Sequence, residues 1–196
     1  MAPDLAFGID PDLHNTSIVL LRAGARPRVL RAIVCHDDSL TGARAAVRMC
    51  GLVATAIPNH FGDLLGGGES AVVVVEHMRV YGTAAYRARD LMLVQAVSGA
   101  AVGSAAACGL PVLYPRPQEW KGEVPKRIHQ ARILSKLGLA YRTRGNQREG
   151  YCVPSSPWPG VRTGADEPYK HLVDAAGLAL YGLSEADTRP RGRSSV

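Results

Sequence analysis

Residues 71–76 constrain this chain more than any other stretch. Ala71 leads into four consecutive valines, Val72 to Val75, and Glu76 follows at once. Branching at Cβ suits the run to an extended strand. Its lack of any polar position predicts a strand covered on both faces, as in the parallel sheets of α/β proteins. Helices must then lie above and below it. The same reasoning places a carboxylate at the carboxyl end of that strand.

The flanking segments predict the rest of a mixed sheet. Leu5 to Ile9 reads as a short buried strand ending at Asp10, and Pro11, Asp12 and Asn15 make a turn. Thr16 to Leu21 and Val29 to Cys35 are two further strands, with Arg26-Pro27 between them. Their close spacing predicts three antiparallel strands. Ser39 or Thr41 caps a helix whose stripe is Ala43, Val47, Cys50, Ala54 and Ile57, ending at Pro58. After the valine strand, Tyr86 to Cys108 predicts a long helix, Val112 to Tyr114 a fifth strand, and Lys126 to Leu137 a basic helix with Ile128, Ala131, Leu134 and Leu137 inward. Pro168 suits the first turn of a last helix reaching about Leu183.

The predicted order is β-β-β-α-β-α-β-α-α. This is an RNase H-like mixed five-stranded sheet, three strands antiparallel and then parallel, with helices on both faces. Residues 1–187 form one domain with an irregular insertion at about 138–167. The polar, basic stretch 188–196 is expected to be a disordered tail.

Charge is concentrated. The chain carries a net +6, and the stretch from Arg116 to Gly150 holds nine Lys or Arg against three Glu. One segment thus accounts for the whole excess, as a phosphate-binding face would. The four cysteines, Cys35, Cys50, Cys108 and Cys152, form no C-x-x-C pair. That argues against a thiolate zinc site and predicts a reduced, cytoplasmic protein. Asp4 and Asp10 interrupt any apolar leader. Leu91 to Tyr114 is uncharged and long enough for a membrane, but its small residues and Gly109-Leu110-Pro111 favour a buried helix followed by a strand, with no membrane partner.

Three acids carry the chemistry. Asp10 follows an apolar strand, Glu76 closes the valine run, and Asp174 sits in an apolar helical stretch, His171-Leu-Val-Asp174-Ala-Ala-Gly. In the predicted topology the first and fourth strands are neighbours, which brings Asp10 and Glu76 together, and the last helix can add Asp174. Clustered carboxylates repel one another and resist burial. Divalent cations relieve both costs, and oxygen donors suit Mg²⁺. Two such ions, for which Mn²⁺ is expected to substitute, would support in-line attack of water on a phosphodiester, leaving a 5′-phosphate and a 3′-hydroxyl. Simpler roles compete: an Asx-turn for Asp10, a solvated strand end for Glu76, a helix-surface position for Asp174. For His171, one turn before Asp174, metal ligation, proton transfer and a core hydrogen bond are all open.

These residues resemble the RuvC family of Holliday-junction resolvases. Phe7-Gly8-Ile9-Asp10-Pro11 looks like the family's first motif, G-I-D-P-G, with Asp12 in place of the second glycine. Val74-Val75-Glu76 is similar to its second acidic strand. Val97 to Tyr114 resembles the following helix and L-P-V strand, and Lys170-His171-Leu-Val-Asp174-Ala-Ala-Gly-Leu-Ala its last motif. Pro117 to Leu134, with Trp120-Lys121-Gly122 and Lys126, looks most like the phage-encoded branch. The resemblance spans roughly 5–137 and 168–183. It implies a metal-dependent nuclease on four-way junctions, acting as a homodimer that makes paired nicks. Asp10, Glu76 and Asp174 would be metal ligands and His171 the variable fourth position. Lys121 and Lys126 would lie near the scissile phosphate.

Further DNA contacts are expected from Arg116, Arg127, Arg142 and Arg144, and Tyr81 and Tyr86 are candidates to support an unstacked base. Asp12 could add a carboxylate. Two other readings stand beside this one: an RNase H-like nuclease on RNA–DNA hybrids or flaps, and an inactive DNA-binding relative. An actin-like ATPase, which also opens on a D-x-G strand, needs a second repeat of the fold, and 196 residues are too few for it.

Overall fold

A computed structural model describes residues 3–65, 68–77, 88–145, 150–158 and 167–188. Its elements run β1 (Leu5–Asp10), β2 (Asn15–Arg22), β3 (Arg28–His36), α1 (Gly42–Leu65), β4 (Ala71–Val75), α2 (Ala88–Ala107), β5 (Val112–Leu113), α3 (Pro117–Lys121), α4 (Lys126–Lys136), β6 (Tyr141–Arg144), β7 (Tyr151–Pro154) and α5 (Glu167–Thr188). The main sheet has the order β3-β2-β1-β4-β5. β1, β2 and β3 pair antiparallel, whereas β4 joins β1, and β5 joins β4, in parallel. The predicted mixed sheet and its central β1–β4 pair are therefore present.

Strand alternation sorts the sheet into two faces. Leu5, Phe7 and Ile9 of β1 and Val73 and Val75 of β4 pack with Met49, Ile57 and Phe61 of α1 and Val97 and Ala101 of α2. Ala6 of β1 and Val72 and Val74 of β4 point the other way, into Leu172, Ala175, Leu178 and Ala179 of α5. Even-numbered positions of both central strands thus face α5. Asp10 continues that parity on β1, and Glu76 on β4.

The inward stripe of α1 is rotated from the expected one: Ala43, Val47 and Ala54 are exposed and Cys50 half-buried, while Ala45, Met49, Val53 and Ala56 are buried together with the expected Ile57. Four further expectations are corrected. Pro58 does not end α1, which continues to Leu65. Proline cannot donate to the carbonyl four residues back, and that carbonyl, Ala54 O, accepts the Ser104 hydroxyl of α2 at 2.7 Å instead. With the orphan satisfied, the helix goes on to bury Phe61, which meets Phe7 edge-on at 5.1 Å. Second, the inward face of α4 is as expected for Leu134 and Leu137, which are buried, and Ala131, which is half-buried, but Gln130 and Ile133 join them while Ile128 is 41% exposed. Third, the insertion is not wholly irregular. β6 and β7 pair as a hairpin, with Cys152 and Val153 buried. Fourth, α5 reaches Thr188, past the expected Leu183. The five-residue α3 was not expected from the sequence at all. Residues 189–196, the rest of the expected tail, lie outside the described residues.

One described helix, within α2, is long and apolar enough to cross a membrane (Arg89–Ala107). In this fold Val94, Val97, Ala101 and Ala105 on one of its faces are buried, and Ser104 is bonded to α1.

Candidate active site

The site forms where β1 and β4 end beneath α5. Ile9 pairs with Val75, and the Glu76 amide donates to the Ile9 carbonyl at 3.2 Å. Asp10 and Glu76 therefore follow in register on neighbouring parallel strands. Because both sit on the α5 side of the sheet, they face Asp174 and His171, one helical turn apart on α5. Asp10, Glu76 and Asp174 are all buried. Gly8 sets the closeness of the packing: a Cβ there would lie 1.8 Å from the Ala175 carbonyl oxygen and 2.5 Å from the Ala179 nitrogen.

Each acid has its own partners. A ring nitrogen of His171, Nδ1, lies 2.9 Å from Asp10 Oδ2. Trp120 Nε1 donates to Glu76 Oε1 at 3.1 Å, and Lys121 Nζ reaches the same oxygen at 3.2 Å. Lys126 Nζ lies 2.6 Å from Asp174 Oδ2, and Gln130 Nε2 donates to Asp174 Oδ1 at 2.9 Å. The turn role weighed for Asp10 belongs instead to Asp12, whose Oδ1 accepts the amides of His14 and Asn15 at 2.8 and 3.1 Å.

The electrostatics match a crowded acidic site. Burial, and then the charge of Asp174, hold the Asp10 carboxyl above the usual carboxylate range against the opposing hydrogen bond from His171. Burial, and then Asp10, raise Glu76 in the same way. Burial works against the charge on His171, yet the hydrogen bond and charge of Asp10 outweigh it and raise the imidazole above its ordinary value. Burial likewise opposes Lys126, and Asp174, Asp10 and Glu76 together override it and hold the ammonium charged. Lys126 thus sits on Asp174 and feels the charge of all three acids, while Lys121 pairs with Glu76 and His171 with Asp10.

An acid with a raised folded-state pKa binds its proton more tightly when folded than when unfolded. Its ionisation subtracts from stability, a loss that sets in as pH rises above the unfolded-state value and is complete only once pH has passed the raised folded-state value. Asp10→Asn keeps an acceptor for His171 and removes that charge. In EDTA, at a pH where Asp10 would be ionised, the variant is expected to melt above the parent. A melting point below the parent's, by calorimetry, would contradict the raised pKa.

The donor set, three carboxylates and one imidazole, is chemically suited to a hard divalent cation. Among the described residues, however, no three His, Cys, Asp or Glu side chains are gathered tightly enough to hold an ion as they stand. The acids are instead paired off with Lys121, Lys126 and His171.

The other expected contacts are more scattered. Arg127 lines a groove on the outer side of α4. The Arg116 amide caps α3 by donating to Glu119 Oε2 at 2.5 Å. Arg142 and Arg144 are exposed on β6. Tyr81 and Tyr86 lie outside the described residues. Gln130 was missed by the sequence reading, since an amide on a basic helix carries no hydropathy signal. It is fully buried and joins two elements: Nε2 donates to Asp174 and to the Lys170 carbonyl, and Oε1 accepts the Cys152 amide of β7 at 2.9 Å. The role of Trp120 was also missed, although its Trp-Lys-Gly setting had drawn notice.

The architecture is that of the RNase H-like class. Within it, the chain is similar to Thermus thermophilus RuvC in complex with a Holliday junction substrate, with a TM-score of 0.61 and 18% identity over 92% of this chain and 95% of that one. A second structure of T. thermophilus RuvC gives 0.56 and 17% over 94% and 96%. The yeast mitochondrial Holliday junction resolvase Ydc2 gives 0.50 and 10% over 95% and 82%. No family model matches the sequence, and no curated protein does. Likeness at these identities establishes the RuvC-type fold.

Proposed function

We propose that this chain is a metal-dependent, structure-selective endodeoxyribonuclease that resolves four-way junctions or related branched DNA. The observation that carries the proposal is that Asp10 and Glu76, buried at the ends of adjacent parallel strands, and Asp174, buried on α5 above them, share one electrostatic neighbourhood: Asp174 acts on Asp10, and Asp10 on Glu76. Three ionisable acids packed together cost stability and contribute nothing to a core. Such an arrangement is accounted for by chemistry that needs their charge. The neighbours named as a RuvC bound to its junction and as a mitochondrial resolvase support the same reading.

In this reading Asp10, Glu76 and Asp174, with His171 as a fourth ligand, hold Mg²⁺, or Mn²⁺ in its place, as a pair of ions. When bound, such ions would supply activation of a water for attack on a phosphodiester and charge stabilisation of the leaving oxygen, the chemistry that gives 5′-phosphate and 3′-hydroxyl ends. The chain's own residues prepare the site. Gln130 fixes the orientation of the Asp174 carboxylate, and Trp120 fixes Glu76. Lys121 and Lys126, each on an acid with its ammonium partly exposed, lie where a phosphate entering the site would meet them. Arg116, Arg127, Arg142 and Arg144 add charge for the flanking backbone. A homodimer would make paired nicks. We place it in the cytoplasm, at the nucleoid of a bacterial or phage-infected cell.

The test is purified protein with Mg²⁺, offered a four-way junction, a flap, an RNA–DNA hybrid and a linear duplex side by side. The expected result is paired nicks in the junction, at least ~10²-fold faster than duplex cutting, the scale on which substrate geometry separates rates. Faster cutting of hybrid or flap would transfer the site to those substrates. No cutting of any would leave a DNA-binding relative.

A further inference from the structure

Resting on the nucleic-acid reading above, we infer that the groove between α4 and the β6–β7 hairpin binds an unpaired nucleotide of a DNA strand. The groove measures about 520 Å³, within the ~300–1,000 Å³ range of small-molecule sites. Ile128, Tyr141 and Cys152 line it together with Arg127, Arg132 and Lys136, and none of the described lining residues is acidic. Ile128 is 41% exposed and Tyr141 40%.

A lone exposed apolar side chain needs no account. An exposed ring and an exposed isoleucine sharing one groove with three cations make a different composition: a platform for a base face, with charge for its phosphates. Bases paired in a duplex are stacked and cannot enter such a groove, so the occupant is a nucleotide freed from pairing.

The groove is also tied to the acidic site. α4 turns Lys126 and Gln130 toward Asp174 and presents Arg127 and Ile128 to the groove. Cys152, on the groove wall, holds α4 twice: its amide donates to Gln130 Oε1 at 2.9 Å and its thiol to the Arg127 carbonyl at 3.4 Å. One buried amide therefore fixes both the groove wall and the Asp174 carboxylate. A strand seated in the groove lies one residue along α4 from the lysine on that acid.

The test is fluorescence anisotropy in EDTA with the full chain, using a labelled six-nucleotide oligothymidine, inorganic phosphate as competitor, and a blunt duplex. The double variant Tyr141→Ala, Ile128→Ser is expected to bind the hexamer roughly tenfold more weakly, the loss of one stacked base, and the duplex within about twofold of the parent. Arg132→Gln is expected to lower the salt slope for the hexamer by about 0.7, one phosphate contact on a single strand. Both exposed sites leave the melting point near the parent's, which separates lost binding from lost folding.

Unchanged hexamer affinity in both variants overturns the inference. So does an equal loss on hexamer and duplex, or complete displacement by phosphate alone, either of which marks a general cationic surface. A change in sedimentation in the double variant also overturns it, since the groove would then be an interface between copies. Junction cutting by the same preparation keeps the two readings apart. Cutting with unchanged hexamer binding sinks the groove alone. Absence of cutting with the tenfold loss sinks the nuclease and leaves the groove.

Discussion

On the nuclease reading, Asp10→Asn, Glu76→Gln and Asp174→Asn are each expected to abolish cutting, by ~10³-fold or more, and to leave junction binding intact in calcium or EDTA. The magnitude follows from what the acids would do. A group that acts only on the charge developing in the transition state takes its full contribution with it, on the order of 10²–10³-fold for a single hydrogen-bond donor, and more where several groups act as a unit. Binding follows a different ledger. On this reading it would be carried by the cations of residues 116–150, none of which is altered, and each substitution would remove a negative charge from the path of a phosphate. Affinity should therefore be equal or tighter. The substitutions are close to isosteric: an amide at 174 still accepts from Gln130 Nε2, the partner at 2.9 Å, with the exposed Lys126 ammonium giving up its place on Oδ2, and one at 10 still accepts from His171. The measurement is single-turnover cleavage with Mg²⁺ alongside a mobility shift without it. A variant cutting at near the parent's rate removes that residue from the site, and loss of binding in parallel with cutting would make the acids structural.

The parts of this site legible in the sequence are those fixed by short-range rules. A run of valines names a buried strand, and its parallel neighbour then follows from the order of elements. Strand parity puts Asp10 and Glu76 on one face. The periodicity around Asp174 turns it inward. What could not be read depends on contacts distant in the chain. Ala54's carbonyl is rescued from Pro58 by a serine on another helix, so the proline looked like a stop. Gln130 is a core residue only because Asp174 and Cys152 happen to need its amide, and hydropathy therefore chose Ile128 in its stead. β6, Tyr-Arg-Thr-Arg, is exposed along its whole length, so it leaves no alternation for a pattern to detect.

Among the described glycines, Gly8→Ala is expected to be the most damaging addition of a single methyl. No positive φ demands glycine at this position; the described residues with that conformation are Gly42, Gly68, Gly109, Gly122, Gly138 and Gly145. The constraint is the distance between β1 and α5. An added Cβ would sit 1.8 Å from Ala175 O, 2.5 Å from Ala179 N and 2.9 Å from Ala175 C. All three are helix backbone, so no side-chain rotation relieves the overlap. α5 must move off the sheet by more than an ångström, taking with it Leu172, Leu178 and Ala179, each fully buried. Overpacking commonly costs about 1–3 kcal/mol where side chains can adjust. With backbone on the far side the cost belongs at or beyond the top of that range, a melting point lower by roughly 6–12 °C at ~2–4 °C per kcal/mol. The shift also carries Asp174 and His171 away from Asp10 and Glu76, since all four depend on the same strand–helix approach, and a misplacement of about 1 Å can cost ~10²-fold in rate. Cutting should therefore fall even at temperatures where the variant remains folded, with junction binding through α4 little changed. Thermal melts paired with cleavage at 20 °C check both halves. A variant that melts with the parent would mean the helix does not approach β1 this closely, and a destabilised variant with full activity would show that the acids do not rely on that approach for their alignment.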